Sequence, residues 1–265
     1  FVLEGNLRNI PMSVLYDSER ERYLVERYAI AVAPSLQLLP PKVLLEGKLQ
    51  VLIAGTDKKA PSYGEKYSPL LNVKQELESI NKIIPKSETL ADEKFTAINI
   101  QDQINSVPFN IVHIATHGQF SSNIEKTAIF AWDKPINVRN LDQLLQNENL
   151  RRAAKSVDLL ILSACETALG DERAALGLAG VAVRAGVRSV LGSLWKVDDA
   201  STAELMKQFY EQLQPKVQGQ QSQSLELRKA EALREVQIKF IKGEIQPEYQ
   251  QPYYWSPFIL VGNWL

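Results

Sequence analysis

The run Val157-Asp-Leu-Leu-Ile-Leu-Ser-Ala-Cys-Glu-Thr-Ala-Leu-Gly170 decides how this chain is read. Four branched apolar residues, Leu159 to Leu162, lead into Ser163 and Ala164 and then into Cys165, the only cysteine. Near-continuous apolar character over a strand's length, ended by small residues, marks a strand buried on both faces, as in a parallel sheet. A second stretch, Ile111-Val-His-Ile-Ala-Thr-His-Gly118, has the same form and delivers His117 and Gly118 where the strand should stop. In open parallel sheets the chemistry sits outside the carboxyl ends of the strands. Two such strands side by side put an imidazole and a thiol on one rim, which is a nucleophile–base pair.

The rest of the chain fits that frame. At 265 residues it holds one large α/β domain or two small ones. A formal net charge of -1 argues against a nucleic-acid or membrane-surface partner, both of which need a basic excess. One cysteine excludes an internal disulfide framework, and two histidines leave too few soft ligands for a zinc site. No phosphate loop is present, and Gly177-Leu-Ala-Gly180 lacks the spacing of a dinucleotide fingerprint, so no cofactor is expected. No apolar run spans a bilayer and no signal-peptide pattern opens the chain, which reads as soluble and cytoplasmic. Phe1 is not an initiator methionine, so the chain reads as a piece of something longer.

Residues 1–47 read as a β-rich lead-in, with a long strand or hairpin arm over 23–33, and residues 48–265 as the core. The strand 49–55 ends in a glycine and is followed by a polar loop to about Pro69, expected to be a mobile lid. Apolar spacing predicts an amphipathic helix over 70–84 and a weaker one over 91–104. A short strand follows at 128–132, then a helix from Asn140 to Leu145. After the cysteine come a small-residue helix over 176–186, a buried strand over 189–195 and a helix to Leu213 capped by Asp199 or Ser201. A Gln/Ser/Gly linker over 214–224 leads to a helix over 225–242 and a closing strand over 257–262. Alternating strands and helices imply an α/β three-layer sandwich, a mostly parallel sheet with helices on both faces.

Individual residues have competing readings. A lone cysteine usually packs as a small hydrophobe, but the strand-end position, with a strand-end histidine about 50 residues upstream as in caspases, favours catalysis for Cys165. His113 lies about 13 Å deeper than His117 at the usual strand rise and reads as a hydrogen-bonded core residue. Glu166, beside the thiol, would oppose thiolate formation, so it is expected to turn away and anchor the loop. Ser163 has no nucleophile elbow around it and reads as a small strand-end residue. The backbone N–H groups of Gly118 and Cys165 are candidates for an oxyanion hole.

Ala-Thr-His117-Gly118 and Ser-Ala-Cys165-Glu-Thr resemble the two signatures of the CHAT domain, a caspase-like branch of cysteine peptidases found after tetratricopeptide repeats. The resemblance extends to Ser193-Leu-Trp-Lys-Val-Asp-Asp199, to Tyr253-Tyr-Trp-Ser-Pro-Phe-Ile-Leu-Val-Gly262 and to Tyr23-Leu-Val-Glu-Arg-Tyr28, nearly the whole chain. It implies a caspase-like fold, His117 as base, Cys165 as nucleophile, and hydrolysis of a protein or peptide substrate through an acyl-enzyme. It also implies an upstream repeat region that recruits partners or controls activity. A catalytically silent interaction module and an acyltransferase are the alternatives. Asp171 and Glu172, and Asp198 and Asp199, follow two rim strands and are candidates to bind a cationic P1 residue; helix capping and ion pairing are their structural alternative.

Overall fold

A computed structural model describes residues 1–33, 49–120, 125, 127–145, 157–163, 166–167, 186–214 and 228–265. Cys165, Asp171, Glu172 and all but Gly186 of the helix expected over 176–186 lie outside the described residues. The centre is a six-stranded sheet in the order β12-β11-β9-β5-β3-β4. Its strands are β3 (Val51–Gly55), β4 (Glu88–Ala91), β5 (Ile111–Ala115), β9 (Leu159–Leu162), β11 (Ser189–Ser193) and β12 (Phe258–Gly262). All neighbours run parallel except β12, which lies antiparallel to β11.

Every residue of β3, β5, β9 and β11 is buried, as their apolar runs require. The two-residue alternation divides them between two cores. Leu52, Ala54, Val112, Ile114, Leu160 and Leu162 pack with α2 (Ala97–Ser106) and α3 (Val138–Leu145). Val51, Ile53, Ile111, Leu159, Ile161 and Leu191 pack with α1 (Val73–Ile83), α4 (Asp199–Gln212) and α5 (Lys229–Ile241). Each fully buried leucine or isoleucine contributes about 1.5–3 kcal/mol relative to exposure, so these two layers dominate the stability. The expected three-layer α/β sandwich is therefore the observed one.

Helix α1 follows its apolar spacing, with Val73, Leu77 and Ile80 inward, but Glu76 is buried on the same face. At the carboxyl end of β3, a Cβ on Gly55 would stand 2.5 Å from the Ala115 carbonyl oxygen. Only glycine lets β3 and β5 come together there. Among the described residues no helix is long and apolar enough to cross a membrane.

Three segments differ from expectation. The helix expected over 91–104 begins only at Ala97, where Thr96 caps it by accepting the Asn99 N–H at 3.2 Å; before it, Glu88–Ala91 form edge strand β4. Only Leu90 of β4 is buried, so the strand has no apolar run to announce it. The arm expected over 23–33 is cut short. Strand β2 (Arg22–Tyr23) pairs with β1 (Tyr16–Asp17), and Leu24–Glu26 then turn into a 3-10 helix. The Glu26 carboxylate accepts the Tyr23 N–H at 2.6 Å, and Arg234 donates to the carbonyls of Val25 and Glu26. These bonds satisfy the backbone groups that a strand ladder would have used. A second sheet, in the order β10-β6-β7-β8, was not anticipated. Its strands β6 (Gly118–Phe120), β7 (Ala128–Phe130), β8 (Pro135–Asn137) and β10 (Glu166–Thr167) are two or three residues long.

Candidate active site

The chain passes from the large sheet to the small one at Thr116 and His117. The buried Thr116 hydroxyl donates to the Phe130 carbonyl at 2.7 Å and lies 2.8 Å from the Tyr63 hydroxyl. The His117 carbonyl accepts the Phe130 N–H at 3.0 Å. His117 is thereby fixed just beyond the carboxyl end of β5 and is only 7% exposed.

Its imidazole is held on several sides by the loop after β3. Nε2 lies 2.8 Å from the Ser68 carbonyl oxygen. A carbonyl only accepts, so Nε2 carries the proton, and in the neutral ring Nδ1 is the basic nitrogen. The Tyr67 ring stacks on the imidazole at 4.7 Å and 25°, and Tyr63 meets it edge-on at 4.8 Å. Tyr67 packs in turn on Phe130, with the Lys66 ammonium 4.8 Å above its ring. Ser62 donates from its N–H to the Trp132 carbonyl and from its hydroxyl to that of Ala131. The loop expected to be a mobile lid packs against the histidine through Tyr63, Tyr67 and Ser68.

The ladder also aims a backbone donor. Gly118 pairs with Ile129 across the antiparallel β6–β7 contact, and the Phe130 N–H bonds to the His117 carbonyl. Gly118 and Ile129 are therefore a non-hydrogen-bonded pair, so the Gly118 N–H points away from β7. On that other side lies β10, with Glu166 opposite Gln119 and Thr167 opposite Phe120.

Strand β9 lies beside β5, with Leu162 opposite Ile114, and the Ser163 N–H donates to the Ile114 carbonyl at 3.2 Å. Three residues later Glu166 is already paired with β6. Described backbone on either side of Ala164-Cys165 thus runs alongside the segment that carries His117 and Gly118. The Ser163 hydroxyl is buried without a hydrogen-bond partner, so no base activates it as a nucleophile.

His113 is fully buried, as its depth in β5 predicts. Its Nε2 lies 2.8 Å from Glu76 Oε1, and the Tyr210 hydroxyl lies 3.4 Å from Nδ1. Burial raises the Tyr210 phenol well above its ordinary value, so it stays protonated. The buried acid of α1 thus has its partner, and His113 belongs to the core.

The two described acidic candidates are both occupied within the chain. Asp198 Oδ1 accepts the Ser201 N–H at 2.8 Å and caps α4. Asp199 Oδ2 accepts the Asn72 N–H at 2.7 Å and lies 3.0 Å from Asn72 Nδ2. Burial pushes the Asp199 carboxyl up and the Asn72 donors pull it down. Among the described residues no cluster of His, Cys, Asp or Glu is arranged to hold a metal.

The family model of the CHAT domain matches residues 1–263. This chain belongs to the CHAT domain family. The CHAT domain is similar in structure to the Arg-specific cysteine proteinase gingipain R (RgpB), with a TM-score of 0.54 and 14% identity, covering 81% of this chain and 46% of that one. A complex of the pro- and mature domains of RgpB from Porphyromonas gingivalis gives a TM-score of 0.49 at 14% identity, covering 81% of this chain and 47% of the other. At this identity the likeness to gingipain R is one of fold, a caspase-like fold, and this chain spans less than half of that protein's chain. No curated protein matches this chain significantly.

Ser68 is the site residue that the sequence hides. It acts through a backbone carbonyl, which any residue type supplies, so no side-chain pattern points to it.

Proposed function

We propose that this CHAT domain is a cysteine endopeptidase in which His117 serves as base and acid and Cys165 as nucleophile. The observation that carries the proposal is the hydrogen bond from His117 Nε2 to the Ser68 carbonyl, at the carboxyl end of a strand beside the one that leads to Cys165. A structural histidine needs only satisfied nitrogens. One with Nε2 committed to a fixed carbonyl has a defined tautomer, with Nδ1 as its proton acceptor.

His117 Nδ1 takes the Cys165 proton, and the thiolate attacks the substrate carbonyl carbon. The resulting oxyanion is stabilised by the N–H groups of Gly118 and Cys165. The imidazolium returns its proton to the leaving amine as the C–N bond breaks. Nδ1 then accepts a proton from water as the hydroxide attacks the thioester carbonyl; the C–S bond breaks, the acid product leaves, and the imidazolium returns its proton to the Cys165 thiolate. The Ser68 carbonyl holds the ring through Nε2 while Nδ1 exchanges protons.

The test is a peptide library incubated with the protein and with Cys165→Ala, read by mass. Paired fragments whose summed mass exceeds the parent by one water are expected from the wild type alone. Fragments joined to a second amine would show acyl transfer instead, and intact peptides throughout would mark a silent interaction module. The same library tests the cationic P1 preference. Arginine-ended sites should exceed leucine-ended ones, and Asp171→Asn or Asp198→Asn should erase the difference; an unchanged profile leaves these acids as caps and loop anchors.

A further inference from the structure

Asn72 stands at the N-cap of α1, yet its side chain makes no capping bond. Asparagine is among the preferred capping residues, so turning the side chain elsewhere gives up a stabilising local bond. It turns to Asp199, whose Oδ2 takes both the backbone and the side-chain N–H of Asn72. Asp199 is equally out of place on local grounds. It is the first residue of α4, but Asp198 already caps that helix. It is partly buried and feels the repulsion of both Asp198 and Glu76. Two donors from Asn72 are what make an anion tolerable there.

The position of Asn72 matters because of what precedes it. Ser68 lies four residues upstream, and Pro69, with its fixed φ, stiffens the connection. The upstream half of the loop is tied to β5 and to the segment after β7 by Tyr63 and Ser62. Past Tyr67, the Asp199–Asn72 pair holds the other end. Leu71, next to Asn72, is 77% exposed and adds little packing of its own.

We propose that Asp199 is a positioning residue for His117. By holding Asn72 it fixes the segment whose Ser68 carbonyl sets the tautomer and aim of the imidazole. This inference rests on the reading of His117 as the base. It gives the second aspartate of Ser193-Leu-Trp-Lys-Val-Asp-Asp199 a task distinct from substrate binding. Loss of the tether lets Ser68 drift and the imidazole rotate, and misplacement by an ångström costs up to about 100-fold in rate.

The experiment combines imidazole NMR with kinetics on Asp199→Ala and the milder Asn72→Ala, which removes Nδ2 but keeps the backbone donor. The Nε2–H resonance of His117, assigned by its loss in His117→Ala, should shift or broaden in Asp199→Ala and move less in Asn72→Ala. Turnover should fall about 10–100-fold in Asp199→Ala for arginine- and leucine-ended peptides alike, with KM within about twofold. An unchanged resonance with unchanged turnover overturns the proposal, as does a loss confined to KM for arginine-ended peptides. Should Asp199→Ala fail to fold, an unmoved resonance in Asn72→Ala overturns it equally. If the resonance moves while His117→Ala keeps full turnover, the positioning stands and the base assignment falls.

Discussion

Cys165→Ala is expected to remove peptide hydrolysis altogether, a loss on the order of 10⁴-fold or more, because it removes the proposed nucleophile and the chain has no second cysteine. His117→Ala should lower turnover by about 10²–10⁴-fold, the usual contribution of a positioned acid–base group. The two losses should not add, since a thiol without its base and a base without its thiol fail at the same step. Single-turnover rates of the two variants and of the double variant check this, with thermal unfolding to confirm that each is folded. His117→Ala at wild-type rate would show that the proton is moved elsewhere.

His113→Ala should behave in the opposite way. The imidazole is fully buried, and its Nε2 bond to Glu76 sits between β5 and α1, with Tyr210 of α4 on the other nitrogen. Removing the ring leaves a carboxylate with 1% exposure and no imidazole, in a layer of Ile53, Ile161 and Leu191. Breaking a buried charged or hydrogen-bonded pair from one side costs about 3–5 kcal/mol. Glu76→Ala should cost a similar amount, and the double variant less than the sum, because the second removal takes away a group already orphaned. Urea unfolding of the three variants measures the terms. Folded His113→Ala protein should keep its turnover per molecule. Stability within about 1 kcal/mol of wild type for both single variants would mean that this polar layer does not support the sheet.

The different placement of the two histidines is legible because it depends on strand position. The run Ile111 to Ala115 is buried throughout, and a histidine inside it must face a core, whereas one just past its end faces the rim. Apart from edge strand β4 the large sheet is equally plain, since β3, β5, β9 and β12 are mostly apolar runs of four or five residues and β11 has Val190 and Leu191 at its centre among small residues. The small sheet is not. Only β7 falls in an expected strand, that over 128–132; the others are too short for alternation to rise above composition, and Pro135 and Gly118 disfavour strand on propensity. Its pairing depends on where Thr116 and the Ser163–Glu166 passage leave the large sheet.

The loop over 56–69 was misjudged for a related reason. Its lysines, prolines and tyrosines read as solvent-facing, yet Tyr63 and Tyr67 are buried against an imidazole that sequence order places about 50 residues away. Polar loops are exposed only when nothing distant needs them. Asp198 and Asp199 show the converse limit. Two adjacent acids before a helix invite one explanation, but one caps α4 and the other ties down Asn72. The alternation of local and distant partners at neighbouring positions leaves no trace in a single sequence.

The central claim is that His117 and Cys165 work as one unit. It is tested most directly by the pH dependence of alkylation by a peptidyl electrophile, followed by intact mass, in wild type and His117→Ala. The account predicts one adduct, located on Cys165 by peptide mapping. In the wild type the rate should be high at neutral pH; in His117→Ala it should rise only as the pH approaches the ordinary thiol range near 8.5. Identical pH profiles for the two proteins, or an adduct on another residue, would contradict it.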